Sequence, residues 1–122
     1  MESSAPLAGK RLLVVEDDFL IARDLSNTVA EAHGEVVSVV SEPALVVDTA
    51  EREQVDCVLL NLNLNGSMDT GTAARLTEQG VPLVLVTGYS KDALPADLRD
   101  LPLVSKPVER SKLIDKIIRT SL

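Results

Sequence analysis

Short apolar runs alternate with stretches of helical periodicity along most of this sequence. The first run covers residues 12–15, and apolar side chains then recur every three or four positions over residues 19–33. A continuous apolar run of about four to eight residues is typical of a strand that is buried on both faces. Gly34 is a typical helix stop. The pattern therefore predicts a buried strand followed by an amphipathic helix.

The same alternation continues to the end of the chain. Further strands are predicted at residues 36–40, 57–60, 83–86 and 101–105. Further helices are predicted at residues 41–53, at 67–80 and along a C-terminal stripe of Leu113, Ile114, Ile117 and Ile118. Pro95 interrupts residues 91–100, so the helix expected there is short or broken. Alternating strands and helices predict an α/β fold with a doubly wound parallel sheet between two helical layers.

Composition and charge narrow the class of protein. The chain has 122 residues, of which 45% are hydrophobic, and this suits one domain with its own core. Residues 1–10 are small and polar and are predicted to form a flexible tail before a single domain at residues 11–122. Cys57 lies in an apolar run and is predicted to be a buried thiol without a disulfide or a metal.

The same composition disfavours several partners. A net charge of −7 argues against direct contact with nucleic-acid phosphates, and the only aromatic residues, Phe19 and Tyr89, offer no surface for stacking bases. No segment has the pattern of a signal peptide or the length of a membrane span. We therefore expect a cytoplasmic protein that binds neither nucleic acid nor membrane directly.

Polar residues follow four of the predicted strands. Glu16 and Asp17 follow the first strand, Asn61 the third, Thr87 the fourth and Lys106 the fifth. Parallel strands end at the same edge of their sheet, and ligands of such sheets bind at that edge. These side chains are therefore expected to converge on one site, in which Asn61 stands where chemistry would favour a carboxylate.

Three fragments at these strand ends resemble motifs of a known family. They are Val14-Val15-Glu16-Asp17-Asp18, Val86-Thr87-Gly88-Tyr89-Ser90 and Ser105-Lys106-Pro107. In this order they resemble the receiver domain of two-component response regulators, over nearly the whole of residues 11–122. The resemblance implies the flavodoxin-like and CheY-like arrangement, a five-stranded parallel sheet with strand order 2-1-3-4-5.

The resemblance also implies a site for Mg²⁺ and a phosphoryl group, in which the cation neutralises the phosphoryl oxygens. Asp17 would bind the metal directly, Glu16 would act through water or through another ligand, and Asn63 would contribute its backbone carbonyl. Lys106 would contact a phosphoryl oxygen and would have Asp17 as its main anionic partner.

Further residues follow from the same resemblance. Thr87 would hydrogen-bond a second phosphoryl oxygen and act as the switch hydroxyl. The place of the family's aromatic switch residue is Leu103 in this chain, and Tyr89 would substitute for it at the surface. The Lys106–Pro107 peptide bond is cis in the family and is expected to be cis here.

The family's phosphoacceptor aspartate falls on Asn61, and no aspartate occurs between Asp56 and Asp69. An amide cannot form the acyl phosphate that a carboxylate forms, so no catalytic residue is predicted. Asn61 is still expected beside the metal ligands, where the loss of one negative charge would weaken Mg²⁺ binding. The nearby Asn65-Gly66 pair predicts a turn.

The leading hypothesis is a stand-alone receiver domain, which is not an enzyme and acts in a two-component phosphorelay by protein–protein interaction. Its partners would be a histidine kinase, a phosphotransfer protein or a downstream regulator. Because the chain ends soon after the last predicted helix, no output domain is expected. The oligomeric state is left open.

Three alternatives remain open at this point. The first is a conventional phospho-accepting receiver that carries a substitution at Asn61. The second is an enzyme with the same fold, either flavodoxin-like or of the aspartyl-phosphate type. The third is an acidic structural or inhibitory subunit.

Overall fold

A computed structural model describes residues 5–64 and 66–121 of the protein. Its strands are β1 (Arg11–Val15), β2 (Glu35–Val40), β3 (Cys57–Leu60), β4 (Asn63–Leu64), β5 (Ser67–Met68), β6 (Leu83–Thr87) and β7 (Leu103–Ser105). Its α-helices are α1 (Phe19–Glu31), α2 (Val46–Arg52), α3 (Thr70–Glu78) and α4 (Arg110–Thr120).

The five longer strands form one parallel sheet with the order β2-β1-β3-β6-β7. Strands β4 and β5 form a separate antiparallel hairpin. Without the hairpin, the order is the predicted 2-1-3-4-5, and the predicted doubly wound α/β fold is confirmed.

Both faces of the sheet are covered, which explains why its central strands read as continuous apolar runs. Side chains of β1 alternate between two core clusters: Leu12 and Val14 pack with α1 and α4, whereas Leu13 and Val15 pack with α2 and α3. All residues of β3 and β6 are buried. The interior thus holds the strands in fixed register, and only their ends are open to chemistry.

The N-terminal segment differs from the prediction. Leu7 is fully buried in the cluster beneath α1, and its N–H donates to the carbonyl of Ala32 at 2.9 Å. Lys10 Nζ donates to the carbonyl of Ser121 at 2.7 Å. The prediction of a flexible tail is therefore wrong for residues 5–10, because burial of Leu7 ties the segment to the core. Residues 1–4 lie outside the described part of the chain.

Two helix ends also differ. After α1, the left-handed conformation is taken by His33 (φ 68°), and Gly34 is needed for close packing instead, since a Cβ there would lie 2.7 Å from Val29 Cγ1. Helix α2 is shorter than predicted because Pro43–Leu45 forms a 3₁₀ turn before it. Helix α3 begins later than residue 67, because Ser67–Met68 forms β5, and its cap Asp69 accepts the N–H of Thr72.

The connection from β6 to β7 contains two 3₁₀ turns, Lys91–Ala93 and Ala96–Leu98, in agreement with the short or broken helix predicted there. The β4–β5 hairpin was not predicted. Gly66 takes a positive φ of 82° in its turn, while Asn65 lies outside the described residues. Among the described residues, none of the helices is long and apolar enough to cross a membrane.

Candidate functional site

Four parallel strands end at one edge of the sheet and bring the predicted site residues together. Val15, Leu60 and Leu85 lie side by side in the sheet, and Thr87 is paired with Ser105. The residues at or just beyond these positions line an open cleft of about 680 Å³. Its predicted members are Glu16, Asp17, Asn61, Asn63, Thr87, Tyr89 and Lys106, and Asp18, Ile21, Gly66 and Gly88 complete the lining.

Glu16 lies at the centre of this cleft and is only 3% exposed. Its Oε2 accepts the backbone N–H groups of Asp17 at 3.1 Å and of Asp18 at 3.2 Å. These bonds turn the carboxylate back into the pocket, at the point where the chain leaves β1. Asp17 and Asp18 themselves are exposed, and the Asp18 side chain caps α1 by accepting the N–H of Leu20 at 2.9 Å.

Asn61 is buried beside Glu16, and every polar atom of its side chain is hydrogen-bonded. Its Nδ2 donates to Glu16 Oε2 at 2.7 Å and to the carbonyl of Asn63 at 2.9 Å, and its Oδ1 accepts the N–H of Asn63 at 3.1 Å. A reversed amide would place oxygen against two acceptors and NH₂ against a donor. The network therefore determines the orientation of the amide.

Lys106 reaches the same carboxylate from the other side of the cleft. Its Nζ lies 3.1 Å from Glu16 Oε1, and its backbone N–H donates to the carbonyl of Thr87 at 2.9 Å. The Lys106–Pro107 peptide bond is cis. Asp17 was expected to be the main anionic partner of Lys106; the structure shows an ion pair between Lys106 and the buried carboxylate of Glu16, and Asp17 lines the same cleft.

Thr87 and Tyr89 form the opposite wall. Thr87 is 1% exposed, and its Oγ1 accepts the N–H of Tyr89 at 3.0 Å. Tyr89 is half-buried and packs on the same core cluster as Leu103. Tyr89, the expected substitute for an aromatic residue at position 103, therefore packs against the same core cluster as Leu103.

Sequence reasoning missed two features of the site: the central position of Glu16 and the hairpin that carries Asn63 and Gly66 along one wall. Strands of two residues have no measurable period, so periodicity could not reveal β4 and β5. The Asn65-Gly66 pair was the available signal, because such pairs are typical of hairpin turns.

The donor set fits poorly with the Mg²⁺ that the resemblance implies. The Glu16 carboxylate already accepts four donors, and the Asn63 carbonyl and Asn61 Oδ1 each accept one. Among the described residues, no group of three or more His, Cys, Asp or Glu side chains is arranged to hold a metal ion. Mg²⁺ demands near-octahedral oxygen ligands at about 2.0–2.1 Å, and a cation bound to both the Glu16 carboxylate and the Asn63 carbonyl would have to displace the Asn61 NH₂ group that bridges them.

Comparison with known proteins is consistent with this geometry. A sequence model of the response regulator receiver domain matches residues 12–118. The transcriptional regulatory protein PdtaR of Mycobacterium tuberculosis is 27% identical over 112 residues, which cover 88% of this chain and 55% of PdtaR.

Solved structures show the same fold. The crystal structure of the response regulator PhyR from Brucella abortus has a TM-score of 0.79 at 24% identity, over 97% of this chain and 50% of that chain. The solution structure of SdrG from Sphingomonas melonis Fr1 has a TM-score of 0.77 at 27% identity, over 90% of this chain and 96% of that chain. The chain thus spans about half the length of PdtaR and PhyR and nearly all of SdrG.

Proposed function

The chain belongs to the response regulator receiver domain family, and from this premise we propose that it signals by binding other proteins without accepting a phosphoryl group at position 61. One observation carries the proposal: Asn61 lies buried at the end of β3, with its amide bonded to Glu16 and Asn63. Formation of an acyl phosphate needs a carboxylate oxygen as nucleophile, and a carboxamide cannot supply it.

Under this proposal the rest of the pocket has a structural and recognition role. Lys106 joins β7 to the buried carboxylate of Glu16, and Thr87 holds the first turn of the loop after β6. Phe19 and Leu20 are 75% and 64% exposed on the first turn of α1, directly after the exposed Asp17 and Asp18. This patch suits a signalling protein with apolar side chains flanked by basic ones, such as a histidine kinase, a phosphotransfer protein or a downstream regulator.

That the domain stands alone stays a prediction, since this chain covers 96% of SdrG but about half of PdtaR and PhyR. The second candidate function is that of a conventional magnesium-dependent receiver that carries a substitution at Asn61. It is favoured by the presence of Asp17, Thr87 and Lys106 around one cleft, and by the relation to SdrG, which has been solved in a BeF3-activated conformation.

The test is incubation of the wild type and of Asn61→Asp with Mg²⁺ and acetyl phosphate, followed by intact-protein mass spectrometry. We expect no phosphoryl gain on the wild type and one hydrolytically labile phosphoryl group on the variant. Asn27→Asp is the matched control, because it adds the same charge at an exposed position on α1 and should gain nothing.

A labile phosphoryl group on the wild type would overturn the proposal. A gain on Asn61→Asp together with no gain on the wild type is the expected result, and it would show that the amide at position 61 alone blocks an otherwise competent pocket. No gain on Asn61→Asp would exclude that second candidate and leave protein binding without phosphorylation.

A further inference from the structure

We propose that the side-chain amide of Asn61, together with the ammonium group of Lys106, takes the place of a divalent cation, so that this pocket is complete without metal. The inference deepens the proposed function, on which it rests for the identity of the cleft. It concerns what holds the acidic side of the cleft together, and it can be tested separately from phosphorylation.

The first step is the saturation of Glu16. A carboxylate has about four favourable acceptor positions, and a buried one is costly unless these are used. Oε2 accepts the Asn61 amide and two backbone N–H groups, and Oε1 accepts Lys106 Nζ. The charge is thus compensated by donors of the protein itself, in the place where the family resemblance implies a cation.

The second step is the position of the Asn61 nitrogen. It lies 2.7 Å from Glu16 Oε2 and 2.9 Å from the Asn63 carbonyl oxygen, and so bridges the carbonyl that the resemblance assigns as a metal ligand and the carboxylate to which it assigns an indirect role. A cation bound to both oxygens would need the space that this NH₂ group occupies. The amide cannot rotate its oxygen towards the cation without breaking the bond from the Asn63 N–H.

The third step follows from replacing the amide by a carboxylate of the same shape. In Asn61→Asp an oxygen would face Glu16 Oε2 and the Asn63 carbonyl at these short distances, with no proton between them. The two carboxylates would then share Lys106 as their single cationic partner, which leaves one negative charge uncompensated. The variant should therefore need a cation that the wild type does not need.

The experiment measures thermal unfolding of the wild type, Asn61→Asp and the control Asn27→Asp, each in EDTA and in millimolar MgCl₂. The wild type and Asn27→Asp should have the same Tm in both solutions. Asn61→Asp should have a lower Tm than the wild type in EDTA, and Mg²⁺ should raise it by several degrees. Isothermal titration calorimetry should detect Mg²⁺ binding to Asn61→Asp at least about tenfold tighter than to the wild type.

A rise in the wild-type Tm equal to that of Asn61→Asp would overturn the inference, as would an Asn61→Asp protein that is fully stable in EDTA. A variant that folds only with Mg²⁺ would support it. Should the variant not fold at all, NMR of the wild type decides: the Asn61 side-chain NH₂ signals should be unshifted by Mg²⁺, and their shift or loss would contradict the inference. A magnesium response of the wild type without phosphoryl gain would overturn this inference alone.

Discussion

The two ends of strand β1 carry ion pairs of the same length in opposite surroundings. At the amino end, Arg11 Nη1 lies 3.1 Å from Glu35 Oε1, and the side chains are 38% and 63% exposed. At the carboxyl end, Lys106 Nζ lies 3.1 Å from Glu16 Oε1, and the side chains are 24% and 1% exposed. Water solvates and screens the first pair, whereas the second must complete its hydrogen bonds within the protein. The two ion pairs therefore differ in the burial of their side chains and not in their length, and the buried pair is the one that belongs to the site.

Strand β3 repeats this contrast. Cys57 begins the strand, fully buried among apolar side chains, and this burial raises the pKa of its thiol to about 12, with a smaller contribution from Asp56. Asn61 follows the other end of the strand and is hydrogen-bonded through both polar atoms. The buried thiol at the amino end stays protonated at neutral pH, whereas the buried amide at the carboxyl end is hydrogen-bonded to Glu16 and Asn63. The polar network described for strand β3 therefore lies at its carboxyl end.

The largest effect should come from removing the buried carboxylate. Glu16→Ala leaves the Asn61 amide, Lys106 Nζ and two backbone N–H groups without their acceptor, and should lower the free energy of unfolding by about 3 kcal/mol. Glu35→Ala is the matched control, and its exposed pair should cost under about 1 kcal/mol. Urea denaturation measures both. Equal losses would contradict the contrast between the two ends of β1.

Removal of the Asn61 side-chain amide should have an intermediate effect on the free energy of unfolding. Asn61→Ala removes both donors from Glu16 and Asn63 and leaves these oxygens without that partner, which should lower the free energy of unfolding by about 2 kcal/mol. Asn27→Ala, at an exposed position of α1, should stay within about 0.5 kcal/mol of the wild type. If urea denaturation finds Asn61→Ala as stable as the wild type, the amide does not compensate the burial of Glu16.

The smallest effect concerns the amino end of β3. Folding raises the pKa of Cys57 from 9.0 to about 12, so the unfolded thiol ionises first and stability falls as the pH rises through this interval. Near pH 9.5 the loss relative to pH 7 should be about 0.8 kcal/mol. Cys57→Ala should lack this component, which is read as the difference between the two stability–pH curves. Parallel curves between pH 7 and pH 9.5 would contradict the assigned shift.

The fold was largely predictable because its signals are local. A strand buried on both faces must be continuously apolar, and a helix on the sheet must repeat every three to four residues, so strands such as β3 and helices such as α1 were found from their own residues. The order of the sheet followed from family resemblance together with the rules for parallel crossovers. Leu7 was missed since one apolar side chain in a polar segment has no pattern, and only the space beneath α1 explains its burial.

For the site, the sequence by itself determined which residue types stand at the strand ends, and that an amide occupies position 61. It could not determine how their side chains pair. The tertiary structure directed Glu16 into the cleft, paired Lys106 with it and set the Asn61 amide between Glu16 and the Asn63 carbonyl. Hydrogen bonds between residues 45 and 90 positions apart depend on distances across the sheet, and a linear sequence does not contain those distances.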